Sequence, residues 1–246
     1  MKNVFLETAN VVAFREAMQL LEDTELGQPG LGVVWGRAGR GKTVCAREYA
    51  VRTGAVYLRA LEDETPRAML SRLCFELNGS DPHTTERCKR IAVEVLEKRP
   101  RSILVDEADR MRVGLIEHFR DIHDLTGVPI VFVGEEHLHP ALYSRRRIWS
   151  RVTQTVEFLA ISAEDIMLFG LRAADLRIEP QAAQRIGARA GGDFRLVWSD
   201  VRELEQMARA SATQNVDARM VGALSAKKPG PGLFKGQNGG GHVEAR

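Results

Sequence analysis

The chain is poor in cysteine, tryptophan and tyrosine, and it lacks any long apolar stretch. Its 246 residues hold 3 Cys, 3 Trp and 3 Tyr. Cys45, Cys74 and Cys88 form no C-x-x-C pair and have no His at ligand spacing. That excludes a zinc site or disulfide framework as the organising element and fits buried thiols in a reducing compartment. No apolar run approaches the roughly 20 residues of a membrane span, and the first residues carry no signal-peptide pattern. The expected location is the cytoplasm. Charge of one sign is also lacking: 35 Lys and Arg against 33 Asp and Glu leave a formal net charge of +2. No global field demands an acidic partner, although a local basic face could still bind nucleic acid. The length suits one sizeable α/β domain, or one domain with a small appendage.

What is present is an alternation of apolar runs and helical patterns. β-rich runs stand at LGVVW (31–35), AVYLRA (55–60), SILVD (102–106), IVFVG (130–134) and TVEFLAI (155–161). Several are almost wholly apolar, as for strands covered on both faces. An opening helix is expected from Val11 to Leu26, with Thr8 or Asn10 as cap and GQPG as stop. Further helices are expected over 65–79, 84–99 and 113–127, the first with Thr65 as cap, Pro66 at its first position and Asn78-Gly79 as stop. Strands alternating with such helices point to a parallel sheet with right-handed crossovers. After residue 161 the strand pattern ceases. SAEDIMLFGLRAADL opens on a capping box, Ser162 to Asp165. EPQAAQRIGARAGG and DFRLVWSDVRELEQMARASA follow, the latter with Asp193 as cap, and a short helix is expected over 216–225. The division is therefore a helical N-terminal extension (1–28), an α/β core (29–161), a small all-helical lid (162–226) and a Gly/Pro-rich, weakly basic tail (227–246) with Lys227, Lys228 and Lys235. The tail's composition predicts disorder.

The segment GRAGRGKT carries the clearest chemistry. Gly36, Gly41, Lys42 and Thr43 fit G-x-x-x-x-G-K-[ST], between an apolar run and a helix. Glycines let backbone amides wrap phosphate oxygens, and the helix start adds free donors and a favourable dipole. The expected nucleotide-binding set runs through Gly36, Arg37, Ala38, Gly39, Arg40, Gly41, Lys42, Thr43 and Val44. Lys42 would reach the β- and γ-phosphates of ATP, and the Thr43 hydroxyl would ligate Mg²⁺. SILVDEAD then ends a strand on Asp106 and Glu107. Asp106 can hold a Mg²⁺ water, and Glu107 can polarise an attacking water. The paired acids favour ATP hydrolysis over phosphate transfer to a small molecule.

Loop, acidic strand, later strand, arginine cluster and helical lid in this order resemble the AAA+ ATPases. Within them the chain is similar to the phage Mu B and Tn7-type transposition proteins, through ELGQPGLGVVWGRAGRGKT, LRALEDETPRAMLSRLCFELNG and PIVFVGEEHLHPALYSRRRIWSRV. The resemblance covers roughly residues 5–220. It implies a P-loop NTPase with a five-stranded parallel sheet of order 5-1-4-3-2. It implies active sites at subunit interfaces, completed by an arginine from the neighbouring protomer, with Arg151 of the SRV segment first, then Arg147 and Arg146, from a cluster that includes Arg145. The family's polar γ-phosphate sensor falls on Glu135, a departure, because a carboxylate beside a polyanion costs Coulomb energy. Arg195 of GGDFR resembles the lid arginine that reaches the γ-phosphate.

The same resemblance implies a homo-oligomer, ring or helical filament, on double-stranded DNA. Such a protein delivers target DNA to a transposase, and hydrolysis drives its disassembly. The residues before position 31 are too few for a separate DNA-binding domain, so the ATPase itself is expected to carry the contacts. Arg59, Arg67, Arg72, Arg110 and Arg112 are the candidates, although Arg67 and Arg72 lie five apart and make no single stripe. Two alternatives stay open: a helicase loader or replication initiator, and an ATP-gated scaffold with little hydrolysis.

Overall fold

Thr8 is extended, and its hydroxyl accepts the Val11 amide, which starts helix α1 (Ala9–Glu22). The computed structural model describes residues 1–23 and 30–225. α1 stops short of Leu26 because Asp23 already has extended backbone (φ −78°, ψ 105°). Most of the expected GQPG stop, and the tail from 226 with its lysines, lie outside the described residues. Residues 1–8 are not helical. They lie on the lid, where the Lys2 amide donates to the Ala173 carbonyl and Leu6 joins the lid core.

Strand and helix then alternate as the sequence predicts: β1 (Leu31–Trp35), α2 (Lys42–Thr53), β2 (Val56–Arg59), α3 (Pro66–Asn78), α4 (Thr85–Lys98), β3 (Ile103–Asp106), α5 (Val113–Thr126) and β4 (Ile130–Val133). Two short helices follow, α6 (Leu138–Tyr143) and α7 (Arg146–Trp149), then β5 (Val152–Glu157). The five strands pair in parallel in the order β2-β3-β4-β1-β5, the expected order read from the other edge. Successive strand residues serve opposite faces. Val33, Val105 and Phe132 meet α3, α4 and α5 in one core, while Val34, Leu104, Val131 and Val133 meet α1 and α2 in the other. β5 begins earlier than the expected 155–161. It is an edge strand with mostly exposed or half-buried side chains, so polar residues form it and the apolar pattern misplaces it. Phe158, Leu159 and Ile161 belong to the crossover into the lid.

The lid comprises α8 (Ala163–Ala174), β6 (Arg177–Ile178), α9 (Pro180–Ala190), α10 (Phe194–Ala210), β7 (Asn215–Val216) and α11 (Ala218–Gly222). It is not wholly helical, because β6 and β7 form a parallel pair of two residues each. Runs that short carry no periodicity to read; burial of Ile178 and Val216 holds them together. The expected capping box at Ser162 and Asp165 is formed. Asn10 ties α1 to the crossover, its amide donating to the Leu159 carbonyl and its carbonyl accepting the Leu159 amide, both at 3.0 Å.

Phe119 of α5 is fully buried and meets Phe132 edge-to-face, with centroids 6.2 Å apart. Phe119→Ala should therefore lower the unfolding free energy by about 3–5 kcal/mol, measured by denaturant titration. A loss below 1 kcal/mol would contradict this packing.

Candidate active site

The chain leaves β1 at Trp35 and turns through a loop that only glycine can thread in two places. Gly36 (φ +143°) lies under the Phe158 carbonyl, and an added Cβ would sit 2.6 Å from that oxygen. At Gly39 (φ +80°) a Cβ would overlap the Asp193 carboxylate from the lid. Gly41 caps α2 in the left-handed region with no side-chain hydrogen bond, so the first-turn amides of α2 stay available to an anion. Lys42 folds back over the loop, donating from Nζ to the carbonyls of Gly36 (2.6 Å) and Arg37 (2.9 Å). Burial pushes the Lys42 pKa below its usual value, while Glu135, Asp106, Asp109 and Glu107 act in the opposite direction.

A cavity of about 150 Å³ opens beside this loop. Ala38, Gly39, Lys42 and Thr43 form one wall; Asp106, Glu107, Asp109 and Glu135 face them, with Arg195 of α10 at the rim. Asp106 is 2% exposed and accepts from the Tyr57 hydroxyl (2.7 Å) and the Glu107 amide (2.9 Å). Tyr57 stands on the neighbouring strand β2. Glu107 adopts left-handed backbone (φ 57°), rare for a non-glycine residue, at the start of a 3₁₀ turn, Ala108–Arg110. Its carboxylate is ion-paired with Arg59 (3.1 Å) and Arg110 (3.0 Å). Asp109 accepts the Glu135 amide at 3.0 Å and lies 3.4 Å from His137 Nε2.

Four carboxylates share the cavity lining with Lys42 and Arg195, and Glu107 among them is also paired with Arg59 and Arg110. Among the described residues, no group of three or more His, Cys, Asp or Glu could hold a metal unaided. That donor set fits Mg²⁺, which is commonly held by one or two carboxylates together with phosphate oxygens and water. Thr43 and Asp106 both line this cavity. The exposed first-turn amides and Lys42 suit the phosphates.

The other expected residues divide. Arg37 faces outward towards Glu136 at 4.0 Å. Val44 is 60% exposed and outside the cavity wall, because the side chain of this helix position points to solvent. Arg40 packs against Gly192 of the lid turn and also lies outside that wall. Arg195 is held by Asp193 at 2.9 Å. Arg151 is ion-paired within its own chain to Asp124 of α5 at 2.6 Å. Arg145, Arg146 and Arg147 are exposed at α7 and form no ion pair among the described residues. Of the expected DNA contacts, Arg59 and Arg110 sit on Glu107, Arg72 pairs with Glu64 (2.7 Å), Arg112 pairs with Asp63 (3.0 Å), and Arg67 is exposed. Tyr57 and Asp193 escaped sequence reasoning as site residues. Their only linear signals are a polar atom inside the apolar run AVYLRA and an acid read as a helix cap.

Burial, and then the bond to Asp106, push the Tyr57 phenol above its ordinary pKa; burial and Glu22 do the same for Tyr49. On alkaline titration followed by phenolate absorbance, both should ionise late, and Tyr57→Phe should remove one late step. A raised folded-state pKa means that the linked stability is present below about pH 10 and lost as pH rises through the folded value. Tyr57→Phe also leaves buried Asp106 a partner short, at a cost of about 1–3 kcal/mol.

Comparison with known proteins agrees with this geometry. A model described as "AAA domain" matches residues 24–142. The "ATP-dependent target DNA activator B" of Escherichia phage Mu is 28% identical over 160 residues, covering 63% of this chain and 47% of that protein. The Mu-like prophage FluMu DNA transposition protein B of Haemophilus influenzae is 26% identical over 162 residues, 61% of this chain and 54% of that protein. The replication factor C large subunit of Methanothrix thermoacetophila is 28% identical over 194 residues, 70% of this chain and 38% of that protein. The chain thus spans about half the length, or less, of the curated relatives it matches. Among solved structures, Cdc6p of Pyrobaculum aerophilum superposes with a TM-score of 0.63 at 17% identity, over 87% of this chain and 66% of that one. Fold, phosphate loop and relatives agree: residues 24–142 match the AAA domain, and the chain is similar to the Mu B-type proteins and shares the fold of Cdc6p.

Proposed function

We propose that this protein is an ATPase that assembles on duplex DNA with ATP bound and presents that DNA to a transposase, hydrolysis releasing the assembly. The observation that carries the reading is Glu107. It stands across a small cavity from the phosphate loop and is gripped by Arg59 and Arg110, two candidates for contact with DNA. The loop amides and Lys42 would bind the phosphates, Thr43 and Asp106 would hold a Mg²⁺ supplying charge neutralisation there, and Glu107 would orient the attacking water. Arg145, Arg146 and Arg147, exposed and free of ion pairs among the described residues, offer the charge that a neighbouring protomer's site needs, with Arg151 available once Asp124 releases it.

The DNA face is largely self-neutralised, since four of its five arginines are paired with carboxylates of the same chain. DNA phosphates therefore have to replace those carboxylates. Where they replace Glu107, the acid becomes free to act on water, and turnover responds to DNA. Similarity to the replication factor C large subunit and the fold shared with Cdc6p favour a second reading, a loader or initiator that acts on a replication assembly. Preference for single strands or for a helicase partner would mark it. Glu135, which lies on the cavity where a polar sensor is expected, keeps the low-turnover scaffold in view.

Electron microscopy with a slowly hydrolysed ATP analogue and duplex DNA tests the main reading: rings or filaments should form, ADP should disperse them, and Lys42→Ala should form none. Absence of any nucleotide-dependent assembly on duplexes removes it. Glu107→Gln should retain ATP binding and assembly and lower turnover by about 100-fold or more. The Arg59→Ala/Arg110→Ala variant should hydrolyse ATP without DNA at a rate the parent reaches only with DNA. A variant that still needs DNA would break the link between that face and Glu107.

A further inference from the structure

Arg40 belongs to the phosphate loop by sequence, yet its side chain serves the lid. The guanidinium packs so closely on Gly192 that a Cβ there would overlap Nη1, and Ala160 of the crossover lies beside it. Nη1 is buried and has no hydrogen-bond partner among the described residues. A buried cationic donor left unpaired is costly, and such an atom calls for a partner in another state of the molecule. Burial is the main influence lowering the Arg40 pKa; Arg37 adds to it, while Asp193 and then Glu136 pull the other way.

Asp193 is engaged elsewhere. Its Oδ1 caps α10 by accepting the Arg195 amide (2.8 Å), and its carboxylate holds the Arg195 side chain through Nε (3.2 Å) and Nη2 (2.9 Å). It also lies against Gly39, and the next amide, Phe194, donates to the Gly39 carbonyl (2.8 Å). Loop and lid turn are thus in register, with one carboxylate between two guanidinium groups. One guanidinium is satisfied by it and lines the phosphate cavity; the other has a buried Nη1 with no partner among the described residues.

We propose that Asp193 is exchanged between these arginines: it holds Arg195 at the start of its own helix until a triphosphate draws Arg195 to the terminal phosphate, and it then pairs with Arg40. The proposal rests on the nucleotide reading of the loop. Its physical basis is that departure of Arg195 would strand a partly buried carboxylate beside a polyanion, where it is repelled. Arg40 removes that repulsion and gains the partner its Nη1 lacks. ADP lacks the γ-phosphate, so it gives Arg195 nothing to leave for. Arg40 is accordingly a positioning residue acting through Asp193, and its influence falls on the preference for ATP over ADP and not on nucleotide affinity in general.

The test is a double-mutant cycle on that preference, measured in the full chain with fluorescent ADP and a slowly hydrolysed ATP analogue. Arg40→Ala should lower the preference about 5-fold or more while ADP affinity stays at the parent value. Arg40→Gln, which keeps contact with Gly192 but not the charge, should behave alike, and Arg40→Lys should recover part of the preference. Asp193→Asn keeps a helix cap and releases Arg195, so the preference should persist or rise, and adding Arg40→Ala should change nothing further. Equal loss of both nucleotides, no change in either, or an Arg40 effect that survives in the Asp193→Asn background overturns the proposal. If the parent binds neither nucleotide, the phosphate-site reading falls first, which separates the two failures.

Discussion

The site depends on crowding like charge at one end of the sheet. Asp106, Glu107, Asp109 and Glu135 face a single ammonium, Lys42, across about 150 Å³. Carboxylates that close repel unless each has its own donor or counter-charge. The surrounding elements supply these one by one: the Tyr57 hydroxyl for Asp106, Arg59 and Arg110 for Glu107, the Glu135 amide for Asp109. The donors come from β2, the 3₁₀ turn and the end of β4, so the parallel sheet is what brings them to one edge.

The same electrostatics tie the site to its surroundings in two directions. Outward, Glu107 is held by two arginines of the candidate DNA face, Arg59 and Arg110. Towards the lid, Gly39 and Gly36 let α10 and the Phe158 carbonyl approach the loop, and the Phe194 amide closes the contact. Asn10 adds a third tie, from α1 to the crossover at Leu159. Loop, crossover and lid turn therefore share close backbone contacts.

Much of the fold was legible in the chain. β1, α3 and α5 stand where apolar runs, Thr65-Pro66 and the stops Gly79 and Gly127 place them, because those signals act within a few residues. Elements without such a signal were missed or shifted. β5 is an edge strand built of polar residues, β6 and β7 are two residues long, and α6 and α7 are single turns around a Pro and an arginine run. The site divided the same way. Lys42, Thr43, Asp106 and Glu107 follow from spacing within two short motifs, whereas the partners of the clustered arginines do not.

The sequence by itself determined the alternation of strand and helix, the phosphate loop and the acidic strand end. Each of these is written in contacts between near neighbours, where periodicity and glycine placement suffice. Only the tertiary structure decided which cation serves which carboxylate. Tyr57 reaches Asp106 across 49 residues, Arg151 reaches Asp124 across 27, and Arg40 meets a lid turn that no local pattern links to it. Ion pairs and buried hydrogen bonds form between whichever groups the packed sheet and lid bring within about 3 Å, and that proximity is a property of the fold.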